Sequence, residues 1–189
     1  MKVYFSPKLV ADSGSYSPSA GKPEQAVQSW MDLGLDIDIV APQPVSLSQL
    51  YRAHDANYVD GVLSGRVTNG FGNRSKKVAK TLQHTSGAML DAAREALCSG
   101  ENTCAPVSGF HHARYHGGGG FCTFNGLMVT ALDLIDSGDV MRVGILDCDQ
   151  HYGDGTDNIL QTLDDADRIV HYTAGRSNHN AQNFLRNQS

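Results

Sequence analysis

A chain of 189 residues is long enough to bury one hydrophobic core, and 40% hydrophobic with 19% charged residues is the make-up of an ordinary globular protein. Its net charge of −5 is spread along the chain without a basic stripe, which excludes a direct nucleic-acid binder because phosphate neutralisation needs clustered Lys and Arg. No apolar run approaches bilayer-spanning length and the opening residues lack the apolar region of a signal peptide, so the expected compartment is the cytoplasm, with no membrane partner.

Residues 3–6 and 37–41 are short apolar runs that end near prolines, and they are predicted strands. Between them lie a loop rich in Gly, Ser and Pro over 12–23 and a helix from 24 to about 33. Ser46 is the N-cap of a second helix, with Gln49 completing a capping box. After a loop at 69–73, Val78, Leu82, Met89, Leu90, Ala93 and Leu97 recur at spacings near three and four, which predicts a long helix over 76–97. A strand over 103–107, a helix over 125–135, a strand over 142–146, a short helix around Leu160 and a strand over 168–172 follow. The expectation is a single α/β domain over 1–175, mostly parallel in its sheet, and a polar tail over 176–189. Cys98, Cys104, Cys122 and Cys148 show no CxxC spacing and are expected as reduced core thiols.

Ligands of such sheets gather at the carboxyl ends of strands, and two polar clusters fall there. His111-His112 follows the 103–107 strand, and the run Asp147 to His151 follows the 142–146 strand. In extended backbone, positions i and i+2 point the same way, so Asp149 and His151 can converge on one ion. Mixed Asp and His ligation suits Zn2+ or another first-row divalent metal. Asp147 shares that side one step deeper, where a carboxylate orients a histidine rather than meeting substrate. Asp147 and Asp154 are the carboxylates available to fix the tautomers of His111 and His112. Each cluster alone also has a plain reading: a DxD at a strand end often only caps a loop. Gly117–Gly120 lacks the Lys-Ser/Thr ending of a phosphate loop. Met128 reads as core, and His54, His84, His116 and His179 as surface or structural residues.

Taken together, the runs Ser108-Gly109-Phe110-His111-His112-Ala113, Gly118 to Gly126 (GGGFCTFNG) and Asp147 to Thr156 (DCDQHYGDGT) resemble the histone deacetylase and acetylpolyamine amidohydrolase family. The likeness extends from about Leu47 to Thr173. It implies an arginase/deacetylase-like three-layer αβα fold and hydrolysis of acetyl-lysine or acetylpolyamine-type amides by metal-activated water. By position it implies Asp149 and His151 as metal ligands, His111 paired with Asp147, and His112 paired with Asp154 as general base. It further implies Gly120 as a carbonyl facing the substrate amide and Phe121 as a channel wall. A structural monovalent cation such as K+ would lie among Asp147, Asp149, His151 and the backbone of His171 and Tyr172. Two residues depart from the pattern: His171 stands where the family commonly has serine, and Tyr152 replaces the second histidine of DxDxHHG.

The resemblance also implies a third ligand aspartate and an oxyanion-binding tyrosine downstream, and neither can be placed before Ser189. The expectation is therefore an N-terminal portion or shortened member without the family's last strands, which would otherwise lie between the HHA and DxDxH strands. Unpaired strand backbone there predicts self-association. Two alternatives stand beside the amidohydrolase: a catalytically silent member binding a metal or acyl ligand or serving as an oligomerising module, and an arginase-like hydrolase of another amide, against which the GFCTFN run weighs.

Overall fold

The computed structural model describes residues 1–177, so the remainder of the expected polar tail, His179 included, lies outside the described residues. Two parallel strand pairs organise the chain. β1 (Lys2–Tyr4) pairs with β2 (Asp38–Val40), and β3 (Val143–Asp147) pairs with β4 (Ile169–Thr173), in register from Val143 opposite Ile169 to Asp147 opposite Thr173. Parallel neighbours need a crossover, and each pair has a helical one: α1 (Lys22–Asp32) for the first, and α6 (Asp154–Thr162) for the second. α1 starts two residues before the predicted position because Pro23, with its fixed φ, is suited to a first helical turn.

The remaining helices are α2 (Leu47–Ala53), α3 (Ala56–Ser64), α4 (Lys76–Ser99), α5 (Gly126–Asp136) and the short α7 (Ala174–Ser177). The Ser46–Gln49 capping box forms as its sequence predicts, and α4 and α5 open on Ser75 and Asn125 side-chain caps. α4 lies between two apolar clusters. Val78, Leu82 and Leu90 join Leu50, Met128, Leu132, Ile145 and Ile159, while Ala88 and Ala92 face Val3, Phe5, Leu9 and Val27.

Residues 103–107 do not form the expected strand. Only Cys104 pairs, receiving the Tyr4 N–H and donating to the Lys2 carbonyl, and no strand among the described residues takes the other flank. A strand is a relation between neighbours, and apolar composition alone does not supply the second one. The outer face of β3 is likewise open, with Leu146 41% exposed. All four cysteines are unpaired, but only Cys122 is buried; Cys98 and Cys148 are exposed rather than core thiols. No helix among the described residues is long and apolar enough to cross a membrane.

The break between α2 and α3 is set by His54, which is fully buried. The Asn125 N–H donates to its Nε2 at 2.8 Å, so Nδ1 carries the hydrogen given to the Arg114 carbonyl at 3.0 Å. Burial of this neutral ring pushes its pKa down from the ordinary histidine value to about 4. With the folded value depressed, protons favour the unfolded chain: stability is full above about pH 6.5 and falls as pH drops towards 4. The loss expected is about 3 kcal/mol, measurable by denaturant titration across that window.

Candidate active site

The HHA turn is held from three sides. Ala113 N–H closes it on the Phe110 carbonyl at 3.0 Å. The second and third N–H groups of α6, on Gly155 and Thr156, both donate to the His111 carbonyl. Asn125 Nδ2 reaches the Ala113 carbonyl at 3.2 Å and Thr156 Oγ1 at 3.0 Å, binding the start of α5 to both segments. The start of α6 thereby delivers Asp154 to one histidine, while the end of β3 delivers Asp147 to the other.

His111 Nδ1 lies 2.8 Å from Asp147 Oδ2, and His112 Nδ1 lies 2.6 Å from Asp154 Oδ1. The two rings stand 4.0 Å apart, centroid to centroid. The His111–Asp147 pair is largely buried, whereas His112 and Asp154 help line a cavity of 970 Å³ with Arg114, Gly117–Gly120, Gln150, His151 and Tyr152. Burial would raise the Asp154 carboxyl, but hydrogen bonds from His112 and Arg114 outweigh it and hold the group below the usual carboxylate range. Arg114 was not legible as a site residue: it is a rim side chain whose partner lies 40 positions away, with Nε 3.1 Å from Asp154 Oδ2.

Asp149 and His151 leave β3 together. The His151 N–H donates to Asp149 Oδ1 at 2.7 Å, the first cause of that carboxyl's lowered pKa, and His151 Nδ1 is 2.9 Å from the same oxygen. Both side chains are open to solvent, and the His151 ring centroid is 6.0 Å from that of His112. These are donor types a first-row divalent ion takes. Among the described residues no third His, Cys, Asp or Glu joins them in one cluster.

Gly120 and Phe121 sit at the centre of a tight turn in which the Gly119 and Cys122 backbones bond each other. Both have positive φ, +53° and +65°, and Phe121 is the one non-glycine described residue in that region. Such a conformation is costly for a side chain and is held by its surroundings: the Phe121 N–H donates to the Gly70 carbonyl, and its ring packs on Phe71 and edge-on to Tyr16. Tyr16 comes from the 12–23 loop, and no local signal marks it as a neighbour. A Cβ at Gly120 would lie 2.4 Å from His112 Cδ2, so Gly120→Ala must displace the His112 ring. We expect that variant to fold and to lose the His112–Asp154 hydrogen bond, read as the disappearance of its imidazole N–H resonance by NMR.

Position 171 completes the local picture. The His171 ring is 1% exposed, with Nδ1 2.6 Å from Asp157 Oδ1 and Nε2 3.9 Å from Asp147 Oδ2.

The histone deacetylase domain matches residues 20–182, and the chain belongs to that family. The chain is 32% identical over 129 residues to an uncharacterised protein of Picosynechococcus sp., covering 65% of this chain and 42% of that one. It is 29% identical over 132 residues to the acetoin utilization protein AcuC of Staphylococcus aureus, covering 62% and 34%. It is 25% identical over 169 residues to the acetylpolyamine amidohydrolase of Mycoplana ramosa, covering 68% and 48%. The solved HD domain of HDA15 superposes with a TM-score of 0.75 at 20% identity, over 90% of this chain and 52% of that one, and so shares the fold. The chain spans less than half the length of these curated relatives.

Proposed function

We propose that the chain carries the histidine and metal-binding half of a metal-dependent amidohydrolase that releases short acyl groups from acetyl-lysine or acetylpolyamine-type amides. The observation that carries this reading is the adjacent pair of imidazoles, each backed by its own carboxylate, with one of them opening beside His151 into the cavity.

Asp154 takes the Nδ1 hydrogen of His112, which leaves Nε2 with its lone pair. That nitrogen serves as general base for the attacking water and returns the proton to the departing amine. The lowered carboxyl of Asp154 keeps it ionised at neutral pH, so it can steady His112 as the ring takes up charge. His111, fixed through Nδ1 by Asp147, presents its own Nε2 lone pair beside His112 and helps to orient the attacking water. Asp149 and His151 would hold Zn2+ or a similar ion, with a third donor needed to complete a catalytic set. Such an ion, when bound, acidifies water and polarises the amide carbonyl. The Gly120 carbonyl would face the substrate amide, and Phe121, braced by Tyr16 and Phe71, would form a wall for the acyl chain. A relative that is named as an acetylpolyamine amidohydrolase supports a small acylated amine as substrate.

The test is acetate release from N-acetylputrescine and from an acetyl-lysine peptide by zinc-supplemented protein. Zinc-dependent release is expected; no release on either substrate, with zinc bound, would contradict the reading. One observation favours a second reading, a member that binds an acylated ligand without turnover: two metal donors rather than three cluster among the described residues. Saturable binding of the acetylated amine without release would identify it.

The exposed Leu146 on β3 and the flank of residues 103–107 that no strand among the described residues covers support self-association of the chain. Light scattering is expected to give at least a dimer, and a monodisperse monomer at high concentration would remove the proposal.

A further inference from the structure

Arg114 stands two residues past His112, and its backbone is held on both sides. Its carbonyl accepts from the buried His54 Nδ1 at 3.0 Å, and its N–H donates to the Gly117 carbonyl at 2.7 Å, which sets it beside the Gly117–Gly120 run. The side chain is 59% exposed and lines the 970 Å³ cavity together with His112 and that run. Gly117 and Gly119 leave room on this wall, because a Cβ at either would meet no atom within 4 Å.

A guanidinium is planar and offers its five N–H groups along two usable edges. In Arg114 the side edge is spent, since Nε and Nη2 both donate to Asp154 Oδ2. The end edge, formed by Nη1 and the second hydrogen of Nη2, has no acceptor among the described residues. Asp154 is fully committed in turn, with Oδ1 on His112 and Oδ2 on Arg114. It is the sole carboxylate among the described residues that line the cavity. An ammonium group on a ligand therefore finds no unspent carboxylate on this wall. A ligand carboxylate finds a two-pronged donor of matching geometry.

We propose that the end edge of Arg114 is a specificity-determining subsite for a carboxylate on the substrate, so that the chain takes acyl amides bearing a carboxylate in preference to acetylpolyamines. The inference rests on the amidohydrolase reading and narrows its substrate class. The carboxylate is carried either on the amine, as in an acetylated amino acid with its carboxyl free, or on the acyl group, as in the monoamide of a dicarboxylic acid. Arg114 reads the same group in both.

The experiment uses the zinc-supplemented full chain and two matched pairs of amides. 5-Acetamidopentanoate and its primary amide place the carboxylate on the amine side; N-butylsuccinamate and its primary amide place it on the acyl side. N-acetylputrescine is the cationic control. The quantity followed is the ratio of each carboxylate to its neutral partner, in kcat/KM where the amide is turned over and in Kd by calorimetry where it is bound without turnover. Wild type is expected to favour the carboxylate by about tenfold in at least one pair, which also tells the two sources apart, and to rank N-acetylputrescine below both. Arg114→Met keeps the apolar stem and loses the fork, and its ratio is expected to fall to about one. Arg114→Lys keeps the charge without the fork and is expected to lie between. A residue that only braced Asp154 would weaken both members of a pair alike and leave the ratio unchanged in Arg114→Met, as would a carboxylate held by the metal; that result overturns the proposal. So does a wild-type protein without preference in either pair, or one that favours N-acetylputrescine. Failure of acetate release with the binding preference intact would sink the amidohydrolase reading alone.

Discussion

Replacing His112 with alanine is expected to lower turnover of an acetylated amine by about 10²–10⁴-fold, the usual contribution of a positioned general base. The loss should fall on kcat with KM little changed, because proton transfer is made in the transition state rather than in the bound ground state. The fold should survive, since His112 stands at the cavity wall with part of its side chain in solvent and supports no apolar cluster. Asp154→Asn tests the same assignment more finely. It keeps the shape but gives His112 Nδ1 a weaker acceptor, so its rate should lie between wild type and His112→Ala. Steady-state kinetics with circular dichroism on the same samples check both points.

The second large effect is on stability. His54→Ala strands two buried backbone groups, the Asn125 N–H and the Arg114 carbonyl, and leaves a cavity where a fully buried ring stood. The expected cost is about 3–5 kcal/mol. At this chain length that lowers Tm by roughly 6–20 °C. The variant should also lose the acid dependence between about pH 6.5 and 4, because the group whose pKa burial depresses is gone. Both groups bonded by His54 sit next to the site, Arg114 beside the HHA turn and Asn125 at the head of α5. A stability defect there would thus reach the catalytic pair.

Much of the fold was legible because its signals are local. The period of α4, the Ser46–Gln49 capping box and the apolar runs at 142–146 and 168–172, which form β3 and β4 one residue further on, each depend on residues within a few positions of one another. That Asp147 and Asp154 would serve His111 and His112 was legible from the residue types, and which carboxylate takes which histidine followed from the family resemblance; the spacing of Asp147, Asp149 and His151 puts them on one side. What could not be read depends on contacts between distant segments. Residues 103–107 have strand composition but only one bridge, to Val3. Arg114 and Tyr16 reach the site through side chains whose partners lie far along the chain. Cys98 and Cys148 are apolar enough for a core, yet they fall at an exposed helix end and in the loop after β3. His171 was visible as a departure from the family pattern, but its contacts with Asp157 and Asp147 emerge only when β4 lies beside β3.

The central claim is that Asp149 and His151 hold the ion that works with His112. Zinc binding by the purified protein, measured by competition with a chromophoric chelator, tests it most directly. The account predicts one zinc per chain in wild type, and loss of that binding in the Asp149→Ala/His151→Ala double variant at unchanged fold. Zinc retained at wild-type affinity by the double variant, or no zinc bound by wild type, would contradict it.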